Sequence, residues 1–343
     1  MKAVVWKGER DIEYVDYPEP APKDNEVKLK VLSCGYCVTD YHIMTGKIKL
    51  CEPPHVLGHE ICGEIVETGK NANADFVGKR VVVETYVGCG KCEFCKKGMK
   101  HLCEAGEIGY PPYQGGEAEY VCVPENCYHF LPDEITDDEA GIMEAAVCPF
   151  GAIMTENVKD KTVLVYGAGI AGISFIQAAV AFGAKKVICV VRNDIKKEQA
   201  LFFGANVVIN EKEENVFARV MEETDGYGAD IFAEATGAKS VIESAFKLVK
   251  KGGRIILYGL PDKNADIRLP VFDVILNQIG LCGYTGNSDA WEKLIEFVKD
   301  KKFNLKDMVT LKLPLSETKR AMEILDDKPQ DMIKIVLKPQ EKI

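Results

Sequence analysis

Apolar and polar residues alternate with period two over Val27-Lys28-Leu29-Lys30-Val31, which predicts a half-buried strand. The segments 79–83 and 118–123 are further strand candidates, and Pro18, Pro20 and Pro22 mark an early extended loop. From about Thr155 the pattern changes. Short β-branched runs at 162–166, 186–191, 229–234 and 253–258 predict strands. Between them lie helical patterns at 170–182, ended by Gly183, at 195–203, ended by Gly204, and at 240–249. Such alternation predicts a doubly wound parallel sheet. A last helix is expected over 289–299, before a mixed tail. The segment 163–184 carries no charge over 22 residues, long enough to span a bilayer. Gly167, Gly169 and Gly172 interrupt it, so it reads as buried strand, glycine turn and buried helix.

Size and charge narrow the picture. At about 150 residues per domain, 343 residues suggest two domains. A formal charge of −10 argues against nucleic acid and anionic membranes as partners. Thirteen cysteines cannot pair completely, and a chain this long needs no disulfide stapling. Free thiols, some of them on metal, fit better. The N-terminus has no apolar signal core, so a cytoplasmic protein is expected.

The turn Gly167-Ala168-Gly169-Ile170-Ala171-Gly172 is a G-x-G-x-x-G between a predicted strand and a predicted helix, the context this motif requires. The first glycine permits the tight turn. The second lets backbone N–H groups, with Ile170 and Ala171 opening the helix, approach a pyrophosphate. The third lets helix pack on sheet. Nineteen residues after Gly172, where an acid would select NAD, stands Val191; Arg192, Asn193 and Asp194 follow. A guanidinium beside the ribose holds a 2′-phosphate, so NADP is expected to serve at least as well as NAD. Asp194 sits where the next helix needs an N-cap.

Cys89, Cys92, Cys95 and Cys103 form C-x2-C-x2-C-x7-C, which suits a closed tetrahedral zinc site. The proline-ended spacing of an iron–sulfur cluster is missing. Lys91, Lys96, Lys97 and Lys100 make the lobe locally basic, but Glu93, Glu104 and Glu107 are interspersed. No helix-borne histidine pair follows, which argues against a DNA-reading finger.

Upstream lie Cys37-Val38-Thr39-Asp40-Tyr41-His42 and, 22 residues after Cys37, His59-Glu60. Together with the cysteine lobe and the glycine turn, in that order, this arrangement resembles the zinc-dependent medium-chain alcohol dehydrogenase family, and in particular its sorbitol and threonine dehydrogenase branch. The resemblance covers nearly the whole chain. It implies that Cys37 and His59 are ligands of a catalytic zinc, with Glu60 beside the metal. It implies that Asp40 orients His59, that Thr39 bonds the substrate oxygen and that His42 carries the proton onward. The third ligand would come from 143–150, where Glu144 and Cys148 both qualify. Glu144, 23 residues before Gly167, fits the family interval better than Cys148. Cys34 reads as a core thiol.

The resemblance further implies a Rossmann dinucleotide-binding domain over 155–285. This would be inserted in a β-rich GroES-like catalytic domain formed by 1–154 and 286–343. Two Zn2+ per chain, one structural and one catalytic, would serve with NADP or NAD. The expected reaction is reversible hydride transfer between an alcohol and its ketone or aldehyde. A glutamate ligand favours a polyol, sugar or other secondary alcohol. A homodimer or homotetramer is expected. An aldehyde reductase of the same family is the nearest alternative. A non-catalytic zinc and nucleotide sensor is a remote one, since a sensor needs no proton relay.

Overall fold

In the computed structural model, residues 1–327 and 329–341 are described, and their contacts divide them into two units. The first comprises 1–145, 291–301 and 305 onward. A hairpin of β1 (Lys2–Gly8) and β2 (Asp11–Asp16) precedes the long strand β3 (Glu26–Tyr36), the helix α1 (Val38–Met44) and β4 (Glu60–Thr68). Next come β5 (Arg80–Val83), the single turn α2 (Glu93–Lys96), β6 (Tyr120–Pro124), β7 (Tyr128–Phe130) and the short helix α3 (Asp137–Ala140). The helix α4 (Met143–Thr155) begins in this unit and continues into the other.

The second unit comprises 146–290 and 302–304. Its elements are β8 (Thr162–Tyr166), α5 (Ile170–Ala181), β9 (Lys186–Val191), α6 (Asp194–Phe202), β10 (Val207–Asn210) and α7 (Val216–Glu223). They continue with β11 (Ala229–Glu234), α8 (Lys239–Leu248), β12 (Val249–Leu257), α9 (Val271–Leu276) and β13 (Gly280–Gly283). The chain then returns to the first unit with α10 (Ala290–Lys299), β14 (Val309–Pro314), α11 (Thr318–Asp327) and β15 (Lys334–Lys338).

The six strands of the second unit run parallel in the order β10-β9-β8-β11-β12-β13, the doubly wound arrangement. Val163, Leu164 and Val165 of β8 and Val187 to Val190 of β9 are fully buried, as strands covered on both faces must be. The order reverses between β8 and β11, and the glycine turn leaves β8 at that switch point. The uncharged segment 163–184 is thus strand, turn and helix. Among the described residues no helix is long and apolar enough to cross a membrane.

Several details differ from the sequence reading, among them that β12 already begins at Val249. The helix after β9 starts at Asp194, so its N-cap is Asn193, whose side chain accepts from the Lys196 N–H at 2.9 Å. Asp194 instead sits in the first turn, where its charge favours the helix dipole. The pair β10 and α7 also stands between the predicted helix 195–203 and the strand 229–234, where the sequence reading expects no further element. Its strand is only four residues long, too short for a periodicity to register.

The first unit is built on a seven-stranded sheet in the order β14-β15-β3-β4-β5-β7, with β6 also on β3. Leu29, Val31, Ile61, Ile65, Val81 and Val83 from its strands form the core beneath it.

Candidate active site

One place in the first unit collects the candidate ligands, and strand pairing explains why. β3 and β4 are antiparallel with Gly35 opposite Glu60, so Cys37, just past one strand, lies beside His59, just before the other. β15 pairs antiparallel with the other edge of β3, Ile335 opposite Tyr36, which delivers Lys334 to the same end. The Gly35 N–H donates to the Gly141 carbonyl at 3.0 Å and so draws in the start of α4 with Glu144. A Cβ on Gly35 would lie 2.1 Å from Glu60 Oε2 and 2.6 Å from the Gly141 oxygen, so no larger residue fits.

Ligand atoms of Cys37, His59 and Glu60 all lie within 4.8 Å of one another. Glu144 Oε2 lies 3.9 Å from His59 Nε2. His59 Nδ1 is 3.1 Å from the Tyr110 hydroxyl and 3.3 Å from Asp40 Oδ1, although neither Asp40 oxygen makes an aligned hydrogen bond. With Tyr110 and Asp40 facing Nδ1, Nε2 is the ring nitrogen left to a metal, which would displace its proton. Burial opposes charge on the His59 ring, but Tyr110, Asp40 and Cys37 outweigh it and hold its pKa well above the usual value. Burial pushes the Glu144 carboxyl up to about 7. Cys37 is the N-cap of α1, and its sulfur accepts from the Thr39 N–H at 3.4 Å. Thr39 is half-buried in the first turn of α1, and His42 lies one turn further on.

The electrostatics call for a cation. Cys37, Asp40, Glu60 and Glu144 are four potential anions in or beside one buried cluster, and Lys334 is the ammonium facing them. Lys334 Nζ bonds Glu60 Oε1 at 2.5 Å, with both side chains buried. Asp40 and Glu60 Oε2 have no hydrogen-bond partner, nor does the fully buried Glu117, whose carboxyl pKa burial and the Asp40 charge drive well up. Buried carboxylates are costly unless paired or on metal. A zinc ion with ligands at 2.0–2.3 Å fits the chemistry of this donor set.

The four lobe cysteines also come together, their sulfurs within 4.8 Å of one another and Cys89 Sγ 4.0 Å from Cys95 Sγ. Tetrahedral ligation at about 2.3 Å places sulfurs about 3.8 Å apart, close to what is seen. N–H groups of Cys89, Cys92 and Cys95 point at the sulfurs of Cys103, Cys89 and Cys92, each at 3.4 Å. Backbone donors from Lys91 and Cys92 lower the Cys89 thiol to about 6, in the range of a ready thiolate.

In the second unit Gly167 has φ +103°, Gly169 is the N-cap of α5 and Gly172 packs so closely that a Cβ would lie 1.9 Å from the Gly167 oxygen. A Cβ on Gly169 would meet nothing within 4 Å, so an approach to the N–H groups of α5, with Ile170 and Ala171 at its start, is open. Arg192 and Asn193 stand at the end of β9, with Arg192 Nε on Glu211 at 2.9 Å. Cys148 is buried in this unit near Tyr284.

Lys334 and Glu211 carry no signal in sequence, and Tyr110 is one aromatic among many. Each acquires its partner only through pairing of distant segments.

Residues 23–133 match the family described as "Alcohol dehydrogenase GroES-like domain", and residues 171–300 that described as "Zinc-binding dehydrogenase". The chain is 32% identical to sorbitol dehydrogenase of Bacillus subtilis, covering 99% of this chain and 97% of that one. It is 35% identical to L-threonine 3-dehydrogenase of Pyrococcus horikoshii, covering 87% and 86%. The solved structure of 2R,3R-butanediol dehydrogenase from Bacillus subtilis superposes with a TM-score of 0.90 at 27% identity, covering 99% of both chains.

Proposed function

The chain belongs to the zinc-dependent medium-chain alcohol dehydrogenases, and from that premise we propose that it oxidises a polyol or other polar secondary alcohol reversibly with NAD(P). The reading rests chiefly on one observation, the convergence of Cys37, His59, Glu60 and Glu144 beside the α1 helix that carries Thr39 and His42. Cys37, His59 and Glu144 hold the catalytic zinc. Glu60 stands beside it, restrained by Lys334. When bound, zinc supplies a Lewis acid that polarises the substrate oxygen, and the nicotinamide nucleotide supplies the hydride acceptor. Asp40 and Tyr110 fix the ring of His59. Thr39 accepts the hydrogen bond of the alcohol, and His42 passes the proton outward. Cys89, Cys92, Cys95 and Cys103 hold the structural zinc. The turn from Gly167 to Gly172, through Ile170 and Ala171, receives the pyrophosphate, with Arg192 and Asn193 on the ribose side.

A cofactor-reduction screen across primary alcohols, secondary alcohols and polyols, with NAD and with NADP, tests this. Polyols or vicinal diols should exceed primary alcohols by at least about tenfold in kcat/KM, about 1.4 kcal/mol of discrimination. Failure of every alcohol to reduce either cofactor in a preparation holding two zincs per chain would sink the reading.

Self-association is part of the same proposal. β13 ends its sheet with β12 on one side only, and Leu281 on it is exposed. Next to it in sequence, α9 exposes Val271, Phe272, Ile275 and Leu276, each more than half accessible. An open strand edge beside so much apolar surface needs a cover, and a second copy related by a two-fold axis supplies a matching one. Phe272→Glu with Ile275→Glu should turn a dimer or tetramer into smaller species by light scattering after gel filtration. An unchanged mass would place the interface elsewhere.

A further inference from the structure

Three polar side chains meet at the C-terminal ends of adjacent strands in the second unit. Tyr166 ends β8, Arg192 follows β9 and Glu211 follows β10. Arg192 Nε donates to Glu211 Oε1 at 2.9 Å, and the Tyr166 hydroxyl donates to Glu211 Oε2. Both oxygens of Glu211 are thereby engaged. Its side chain is 23% accessible, whereas that of Arg192 is 63% accessible. Burial, followed by the bond to Glu211, raises the Tyr166 pKa, so its hydroxyl stays a donor. Tyr166 also lines a cavity of about 350 Å³ with Val216, Phe217, Ser244, Lys247 and Leu248. The end of the second strand of a doubly wound sheet is where the cofactor ribose is recognised.

We propose that Glu211 is a specificity-determining residue that makes this chain prefer the nicotinamide cofactor lacking a 2′-phosphate. The proposal rests on the dinucleotide reading of the second unit. A guanidinium read alone favours a 2′-phosphate. Here its Nε edge is already occupied by a carboxylate fixed from two sides. A phosphate ester carries about −1.5 to −2 charges near neutral pH, so it meets Glu211 as well as Arg192. It must also compete with Glu211 for the Nε side of the guanidinium. A ribose 2′-hydroxyl has no such conflict. It can donate to a remaining lone pair of Glu211, since a carboxylate offers about four acceptor sites on two oxygens.

Equilibrium titrations of NADH and NADPH fluorescence, without alcohol, test this on the wild-type protein, Glu211→Gln and Glu211→Gln with Arg192→Ala. Wild type should bind NADH at least about tenfold more tightly than NADPH, a difference of about 1.4 kcal/mol. Glu211→Gln keeps the shape and removes the charge, so NADPH should tighten by about tenfold or more while NADH holds or weakens. The added Arg192→Ala should cancel that gain, because the gain depends on a released guanidinium. Glu211→Ser gives the same comparison if the glutamine variant folds poorly. A NADPH to NADH affinity ratio unchanged by loss of the Glu211 charge would overturn the proposal while leaving the dinucleotide reading intact. Binding of neither nucleotide by wild type would overturn both.

Discussion

Replacing His59 by alanine should lower alcohol oxidation by at least about a thousandfold and reduce bound zinc from two per chain to one. Three features of the site set the size of this effect. His59 supplies the imidazole nitrogen in a cluster whose other donors are the sulfur of Cys37 and the carboxyl oxygens of Glu60 and Glu144. Its Nδ1 faces Tyr110 and Asp40, so Nε2 is aimed before any metal arrives. The chemistry attributed to the metal is worth several kcal/mol of charge stabilisation, and about 4 kcal/mol is a thousandfold in rate. Tyr110→Phe removes only a contact to the ring and should cost about 10–100-fold in metal affinity or activity. Glu144→Ala should lose the same zinc as His59→Ala. Cys148→Ala should keep both zincs, because Glu144 lies against His59 while Cys148 packs near Tyr284. Atomic emission for zinc, run beside the assay, decides each case. If His59→Ala retained two zincs, or Cys148→Ala lost one, this ligand set would be wrong.

Elements whose signal is local were legible before any fold was known. The strands 162–166, 186–191 and 229–234 stand where their β-branched runs predict, since a strand buried on both faces is a continuous apolar word. The cysteine lobe is equally local, with all four sulfurs inside 15 residues. The family resemblance binds Cys37, Asp40 and His59 into one pattern, and the strand pairing brings them together. Lys334 belongs to no such pattern. It is 274 residues from Glu60 and reaches it only because β15 and β4 both pair with β3. Glu117 lies in an ordinary-looking stretch, and nothing in its neighbours' identities announces a fully buried carboxylate. Arg192 shows the limit most clearly. Its charge is plain in sequence, but its meaning depends on Glu211, 19 residues on and just past the end of the adjacent strand. Periodicity finds elements, whereas partners across a sheet depend on topology that periodicity does not encode.

Cys103→Ser should leave one zinc per chain, the catalytic one, and lower the melting temperature by about 10 °C. The lobe from Cys89 to Cys103 has almost no core of its own. The buried cluster of the first unit includes Val87 before it and Ile108 after it, and no residue between. Its regular structure is the single turn α2, whose N-cap is Cys92, and a 3-10 turn at Lys100–Leu102. Polar ties fasten it to the rest of the unit: Lys100 Nζ to the buried Glu84 at 2.8 Å and to the Asn126 carbonyl at 2.6 Å, and Asn126 Nδ2 to the Gly88 carbonyl at 3.0 Å. These are too few to order some 15 residues against about 1–2 kcal/mol of backbone entropy each. On the proposed reading metal ligation does there what apolar burial does elsewhere, and in isolated zinc fingers it is worth about 10–16 kcal/mol. Part of that is recovered when the lobe opens without unfolding the sheet, leaving a loss of about 3–5 kcal/mol. At about 2–4 °C per kcal/mol for a unit of this size, the shift is about 10 °C. Opening also exposes the chain around Lys91, Lys96 and Lys97, so trypsin should cut there in the variant well before it cuts the wild type. An unchanged melting temperature with two zincs still bound would mean that the four thiols do not form a structural metal site. Loss of both zincs together would mean that the lobe and the catalytic cluster fold as one cooperative unit.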